Sequence, residues 1–282
     1  MSLLLPTRYP ARLYSSSDSD APQITNADGA IKTILKACLV TGYGDRASAG
    51  WITLFDDGNQ MVLRLPDAVQ AIGCPDLKVE NGDGKYRIVS QNNPTGLDDA
   101  TEIASVPLLS RSSYLLPEWH LIATDIGFVF YYKMGEEGYT FESSQLGHIL
   151  TVGLLSAADA TYSSVFAANY MTVISATTGK SSPWMSGFLD SRNIVKNLLN
   201  NQDLTNKSYL DFGVNNADID VCSRITVGAY CTNLFASLFS DVKQDNAVIA
   251  INNRQFLRVA NNSYQASYGN RNIYIPVDYW EL

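Results

Sequence analysis

The stretch Trp119–Lys133, WHLIATDIGFVFYYK, constrains this chain more than any other. Two apolar runs flank a polar break at Thr124 and Asp125, with Gly127 just beyond. Both runs are rich in β-branched and aromatic residues, which suit a buried pleated surface better than a helix. They predict a hairpin, or two consecutive core strands, turning at Asp125 to Gly127. Pro117 sets the first strand off from what precedes it. A chain built around such a pair is mainly β, with antiparallel sheets or a sandwich.

One amphipathic helix is predicted over 28–41, packed on the N-terminal sheet. Ile31, Ile34, Leu35, Cys38 and Leu39 recur at helical spacing and form one apolar stripe. Lys32 and Lys36 fall on the other face. Asn26 or Asp28 is the expected cap, and Gly42 and Gly44 end the helix. Asp56 to Asn59 separates two strand-like runs, and Asn81 to Gly84 separates two more. Residues 91–101 are polar, contain Pro94 and Gly96, and read as a loop. Leu146 to Leu155 reads as a buried strand, while 157–170 fits a helix or a loop. Further strands are expected at 171–176, 225–227, 247–251, 255–259 and 273–277, with Asn252-Asn253 as a tight turn.

The domain reading is an extended N-terminal arm at 1–11, a β-rich domain at 12–156 opening on a short strand at 12–16, and a β-rich region at 157–282. That last region is either a second domain or strands that complete the first.

Composition narrows function by exclusion. Of 282 residues 17% are charged, with 20 Lys and Arg against 28 Asp and Glu for a net charge of −8. No run of Lys or Arg offers a phosphate-binding track, so no nucleic-acid partner is expected. A surface that is polar but weakly charged suits a subunit that meets other subunits. Leu3-Leu4-Leu5 is too short for a signal sequence and no apolar run approaches spanning length, so no membrane insertion is expected. The four Cys form no C-x-x-C pair and there are two His, which argues against a metal site. Cys222 and Cys231 are spaced to meet across a hairpin or, the preferred reading, to stay as two buried thiols.

No catalytic or cofactor-binding residues emerge. The carboxylate pairs Asp56-Asp57, Asp98-Asp99 and Glu136-Glu137 each sit beside glycine in a predicted turn. Glycosidases need two carboxyls across one cleft, and solvated turn acids account for these pairs. His120 and His148 lie inside apolar strands, as core or interface residues. Gly179-Lys180-Ser181 lacks the leading glycine of a P-loop, since position 174 is Ile. Interface candidates are Leu3, Leu4, Leu5, Trp184, Tyr279 and Trp280, whose apolar or aromatic side chains suit docking. Tyr274 is assigned to the core.

Several short patterns resemble a family of structural proteins of tailed bacteriophages and prophages. Tyr14, Ser16, Asp18, Ala21 and Pro22 form a Y-x-S-x-D-x-x-A-P opening. Ala37–Gly44 reads A-C-L-V-x-G-Y-G, followed by A-G-W at Ala49–Trp51. A strand with Leu77 and Val79 comes next, then W-x-L-I-A-x-D-x-x-F at Trp119–Phe128. The resemblance runs from Tyr14 to about Leu155. It implies a virion component assembled in the host bacterial cytoplasm, at the tail, tail tip or baseplate, as a symmetric homo-oligomer with other virion proteins. It supplies no catalytic residues. The alternatives are a module of the tail that binds host-surface glycan, a capsid decoration protein, and a polysaccharide hydrolase.

Overall fold

The polar break in the central stretch becomes a two-residue hairpin loop, Asp125-Ile126, closed by Thr124 opposite Gly127. Thr124 Oγ1 accepts from Ile126 N at 3.2 Å and donates to Gly127 O at 3.3 Å. The side chain at the break thus satisfies backbone groups that the turn leaves free. The computed structural model describes residues 7–24, 29–66, 76–82, 85–92, 94–110, 115–134, 146–154, 156–157, 163–167, 170–171, 185–186, 222–227, 230–237, 246–251, 253–261 and 271–281.

The N-terminal strands are β1 (Arg8–Pro10) and β2 (Arg12–Ser15), followed by the helix α1 (Ala30–Lys36) and a π-helical turn at Ala37–Thr41. Then come β3 (Ile52–Asp56), β4 (Gln60–Arg64), β5 (Asp76–Gly82), β6 (Lys85–Asn92), β7 (Thr101–Ser110), β8 (Leu115–Thr124), β9 (Gly127–Met134) and β10 (Leu146–Leu154). Shorter strands follow as β11 (Ser156–Ala157), β12 (Ser163–Ala167), β13 (Tyr170–Met171) and β14 (Met185–Ser186). The chain ends with β15 (Cys222–Val227), β16 (Tyr230–Ser237), β17 (Ala247–Ile251), β18 (Arg254–Asn261), β19 (Arg271–Pro276) and β20 (Tyr279–Glu281). The protein is mainly β, with antiparallel sheets and one helix among the described residues.

Two compact units divide the chain. One comprises Leu13–Leu154 with Thr161–Ser186, and the other Met1–Arg12, Leu155–Ala160 and Gly187–Leu282. The first unit holds the sheets β3-β4-β5-β6-β7 and β12-β10-β9-β8-β2. The second holds β11-β16-β19-β18-β17, with β15 also on β16, and the pair β1-β20. Residues 8–10, read from sequence as part of an arm, therefore form a strand, with Arg8, Tyr9 and Pro10 opposite Glu281, Trp280 and Tyr279. Residues 161–186 group with the first unit rather than with the C-terminal region.

The hairpin β8–β9 is buried on both faces, which explains its nearly continuous apolar sequence. Register places Trp119, Leu121 and Ala123 opposite Tyr132, Phe130 and Phe128 on one face. Ile122 and Val129 pair on the other. All of these side chains are buried.

The apolar helical stripe is realised in full: Ile31, Ile34, Leu35, Cys38 and Leu39 are all 0% exposed. The capping differs from expectation. Gly29, with φ 90°, precedes the first helical residue and no side chain caps it; Asn26 and Asp28 lie outside the described residues. The helix widens at its end, where Gly42 N donates to Ala37 O, five residues back. Gly42 is required there. Its φ is +77°, and a Cβ would come within 2.5 Å of Arg46 O.

Several strands escaped the sequence reading, β7, β12 and β16 among them. Strand β7 follows the polar bends of 94–100 and contains Pro107, which removes a ladder donor. The edge position tolerates it, and the ladder shifts between Tyr86↔Leu109 and Ile88↔Val106. Residues 163–167, expected as helix or loop, are strand β12. Cys222 and Cys231 stand opposite Ser237 and Thr226, so the β15–β16 register does not set them against each other.

Candidate functional site

The short patterns of residues 14–22, 37–51 and 119–128 meet in one place within the first unit. Strand β2 delivers Tyr14 and the turn that follows delivers Asp18. The positive-φ glycines Gly42 and Gly44 swing Tyr43 out of the helix end and back over that turn. The Tyr14 and Tyr43 ring centroids are 6.0 Å apart, and Tyr43 meets Trp119 edge-on at 6.5 Å.

Asp18 is the polar centre of this knot. Its Oδ2 accepts from Ser15 N at 3.0 Å and from the Tyr43 hydroxyl at 2.8 Å, and its Oδ1 accepts from Arg46 at 2.6 Å. Burial raises the Asp18 carboxyl, but the bonds from Arg46, Tyr43 and Ser15 outweigh it and hold the group below the usual carboxylate range. Burial, then the bond to Asp18, pushes the Tyr43 phenol far up. Arg46 stays half exposed, with Asp18 largely covered.

Each remaining pattern residue closes part of the same knot. Ser16 N donates to Trp119 O at 3.0 Å, and Trp119 N donates to Ser16 Oγ at 3.2 Å. The Trp119 indole donates to Pro22 O at 3.0 Å. Gly44 allows the Ser19–Asp20 turn to approach, since a Cβ would meet Ser19 O at 2.9 Å. Ala49 N and Trp51 N donate to Cys38 O and Leu39 O, so the A-G-W segment terminates the helix by satisfying its last carbonyls. Trp51 then packs on Phe128 at 5.5 Å and donates to Thr124 O at 3.3 Å. Leu77 and Val79 are buried in β5.

Beside this knot an open groove of about 580 Å³ runs along the helix, lined by Gly29, Lys32, Thr33, Lys36, Ala37, Thr41, Asp56 and Gly58. Lys32, expected on the solvent face, is 5% exposed. Its ammonium donates to Asp56 Oδ1 and Gly58 O, both at 2.6 Å, while Lys36 reaches Asp56 Oδ2 at 2.7 Å. The β3–β4 turn lies along the helix flank, so the Lys32 stem is covered while its head finds acceptors. Burial raises Asp56, and the two lysines overcome this and hold it far below its ordinary value.

Of the sequence-derived carboxylate pairs, Asp56, Asp57 and Asp98 each meet local hydrogen-bond donors. Asp56 is held by the two lysines. Asp57 Oδ1 caps its own turn, accepting from Asn59 N at 2.8 Å and Gln60 N at 2.7 Å. Asp98 accepts from Lys78 at 2.9 Å, and Glu136-Glu137 lie outside the described residues. His120 stacks on Tyr131 at 6.1 Å. No hydrogen bond reaches either of its ring nitrogens, and Glu118 Oε1 stands 3.5 Å from Nε2. His148 sits opposite Tyr132 in the β9–β10 ladder. Among the described residues no group of three or more His, Cys, Asp or Glu is placed to hold a metal ion.

Of the interface candidates, Leu3, Leu4, Leu5 and Trp184 lie outside the described residues. Trp280 is 2% exposed and donates to Pro276 O at 3.1 Å, inside its own unit. Tyr279 is half-buried. The Arg254 guanidinium lies 3.8 Å and that of Arg8 4.4 Å from its ring centre. Arg254 also forks onto Asp278 at 3.0 and 3.2 Å and donates to Tyr279 O at 2.6 Å. Tyr274 is fully buried, as expected. Sequence reasoning missed Arg46 and Arg254, which act at bends whose geometry only the tertiary structure supplies.

No protein-family model matches this chain, and neither a curated protein nor a solved structure matches it.

Proposed function

We propose that this chain is a structural subunit of a tailed-bacteriophage virion, at the tail, tail tip or baseplate, and that it works by protein–protein assembly. One observation carries the reading. The residues on which the resemblance rests, Tyr14, Ser16, Asp18, Pro22, Tyr43, Gly44, Trp51, Trp119 and Phe128, fall into one connected knot rather than into a cleft. Such residues specify a scaffold, and a scaffold is what an assembling subunit contributes. The reading also fits how the described carboxylates are used. Asp18, Asp56 and Asp57 each accept from donors that hold their carboxyls below the ordinary range, and a carboxylate so held is a poor proton acceptor.

The expected form is a symmetric homo-oligomer, as is usual for repeated subunits. Light scattering on the purified full chain tests this. A defined oligomer supports the assembly reading, and a chain that stays monomeric at every concentration counts against it.

A further inference from the structure

An edge strand carries a row of unpaired N–H and C=O groups, and proteins blunt such edges with bulges, charges, prolines or short length. Most described edges here are blunted. Strand β7 carries Pro107 and two register shifts against β6. Strand β3 has a shift between Thr53 and Phe55, and β15 one between Arg224 and Thr226. Strand β2 has four residues and opens on the exposed Arg12. Strand β12 touches β7 and β13 of its own unit.

Strand β17, Ala247–Ile251, is short but carries no bulge, charge or proline. Its sequence AVIAI carries no charge and no proline. Its register against β18 runs without a break from Ala247↔Arg258 to Ile251↔Arg254. It is the last strand of its sheet and has no second neighbour among the described strands. Val248, 49% exposed, is the most exposed large hydrophobic residue among those described, and Ala250 is exposed too.

We propose that β17 is a self-pairing edge, adding antiparallel to β17 of a second copy across a two-fold axis at Ile249. The inference rests on the reading of the chain as an assembling subunit and names the surface it would use. The strand is complementary to itself. Pairing about Ile249 sets Ala247 opposite Ile251 and Val248 opposite Ala250, small against large, with Ile249 opposite its own copy. Charge favours a second copy as the occupant. A chain of net charge −8 repels its own copies in general, yet this strand brings no charge to face itself. A strongly charged partner strand would find no counter-charge on it. Five residues span about 17 Å, so one such contact is weak alone and gains strength where many copies are held together.

Sedimentation velocity of the full chain over rising concentration tests the proposal, with Val248→Lys and Ala250→Pro as variants and circular dichroism to confirm folding. Both positions are exposed, so the fold should survive. The expected result is a wild-type monomer–dimer equilibrium that either variant weakens by about tenfold or more. Ile249→Cys should give a covalent dimer under mild oxidation beyond any wild-type background, because the axis brings the two Cβ atoms to about 5 Å; Asn253→Cys should not. Self-association unchanged in both variants overturns the edge pairing and leaves the assembly reading standing. A wild type monomeric throughout overturns the edge pairing and counts against the assembly reading, which falls if the chain is also absent from phage particles. A β17-dependent dimer from a chain absent from phage particles would leave the edge pairing intact and sink the virion reading.

Discussion

The Tyr43 hydroxyl donates to Asp18 Oδ2 at 2.8 Å, tying the loop after the helix to the turn after the first core strand. Because Ser15 N and Arg46 converge on the same carboxylate, Asp18 fixes its own turn and ties it twice to the 43–46 loop. Replacing it removes every one of these ties and leaves the half-buried Tyr43 without the acceptor for its hydroxyl. Asp18→Ala should cost about 2–3 kcal/mol in urea unfolding. Arg46→Ala, at a half-exposed pair, should cost about 0.5 kcal/mol. Equal costs would contradict this division of labour.

Gly42 and Gly58 both have positive φ, but only Gly42 is crowded, by Arg46 O. A methyl group added at Gly58 would meet nothing within 4 Å, so Gly58→Ala should cost about 1 kcal/mol, from the backbone conformation alone. Gly42→Ala adds a clash with backbone and should cost more than about 2 kcal/mol. Thermal unfolding of the two variants side by side gives the comparison.

Much of the first unit was legible in the sequence because its signals are local. The 119–133 hairpin, the turn at 56–59, the strand runs on either side of Asn81 to Gly84 and the helical stripe all follow from spacing and turn chemistry. What escaped depends on long-range context. Strand β7 was hidden by Pro107, which reads as a breaker until an edge and a bulge make room for it. Lys32 reads as solvent-facing until the β3–β4 turn is laid beside the helix. Trp280 reads as an exposed terminal aromatic until β1 pairs with β20 and the indole finds Pro276 O. The pattern residues were visible individually, but their convergence around Asp18 was not, because it joins segments as far apart as residues 16 and 119.

The Lys32–Asp56–Lys36 clasp should respond unequally to its parts. Asp56→Ala strands the buried Lys32 ammonium with one carbonyl partner and should cost about 3 kcal/mol. Lys36→Ala leaves Asp56 still paired with Lys32 and should cost about 0.5 kcal/mol. Chemical denaturation of both single variants decides it; a Lys36→Ala cost as large as that of Asp56→Ala would contradict the assigned roles.

Acid should unfold the protein through Asp18, Asp56 and Asp278, which are all held below the ordinary carboxyl value in the folded state. The unfolded chain takes up these protons at about pH 4, before the folded chain does. Their contribution is therefore complete above that point and is lost as pH falls through the folded values. Scanning calorimetry should give little change in Tm from these groups between pH 7 and about 5, and a steepening fall below about pH 4. Asp56→Asn should flatten that fall.

The most direct test of the central claim is quantitative mass spectrometry of purified phage particles from the source that encodes this chain. The account predicts the intact chain in the particles, at a fixed copy number relative to the other tail proteins that matches a closed symmetric ring or trimer. Its absence from particles that contain their full complement of tail proteins would contradict the account.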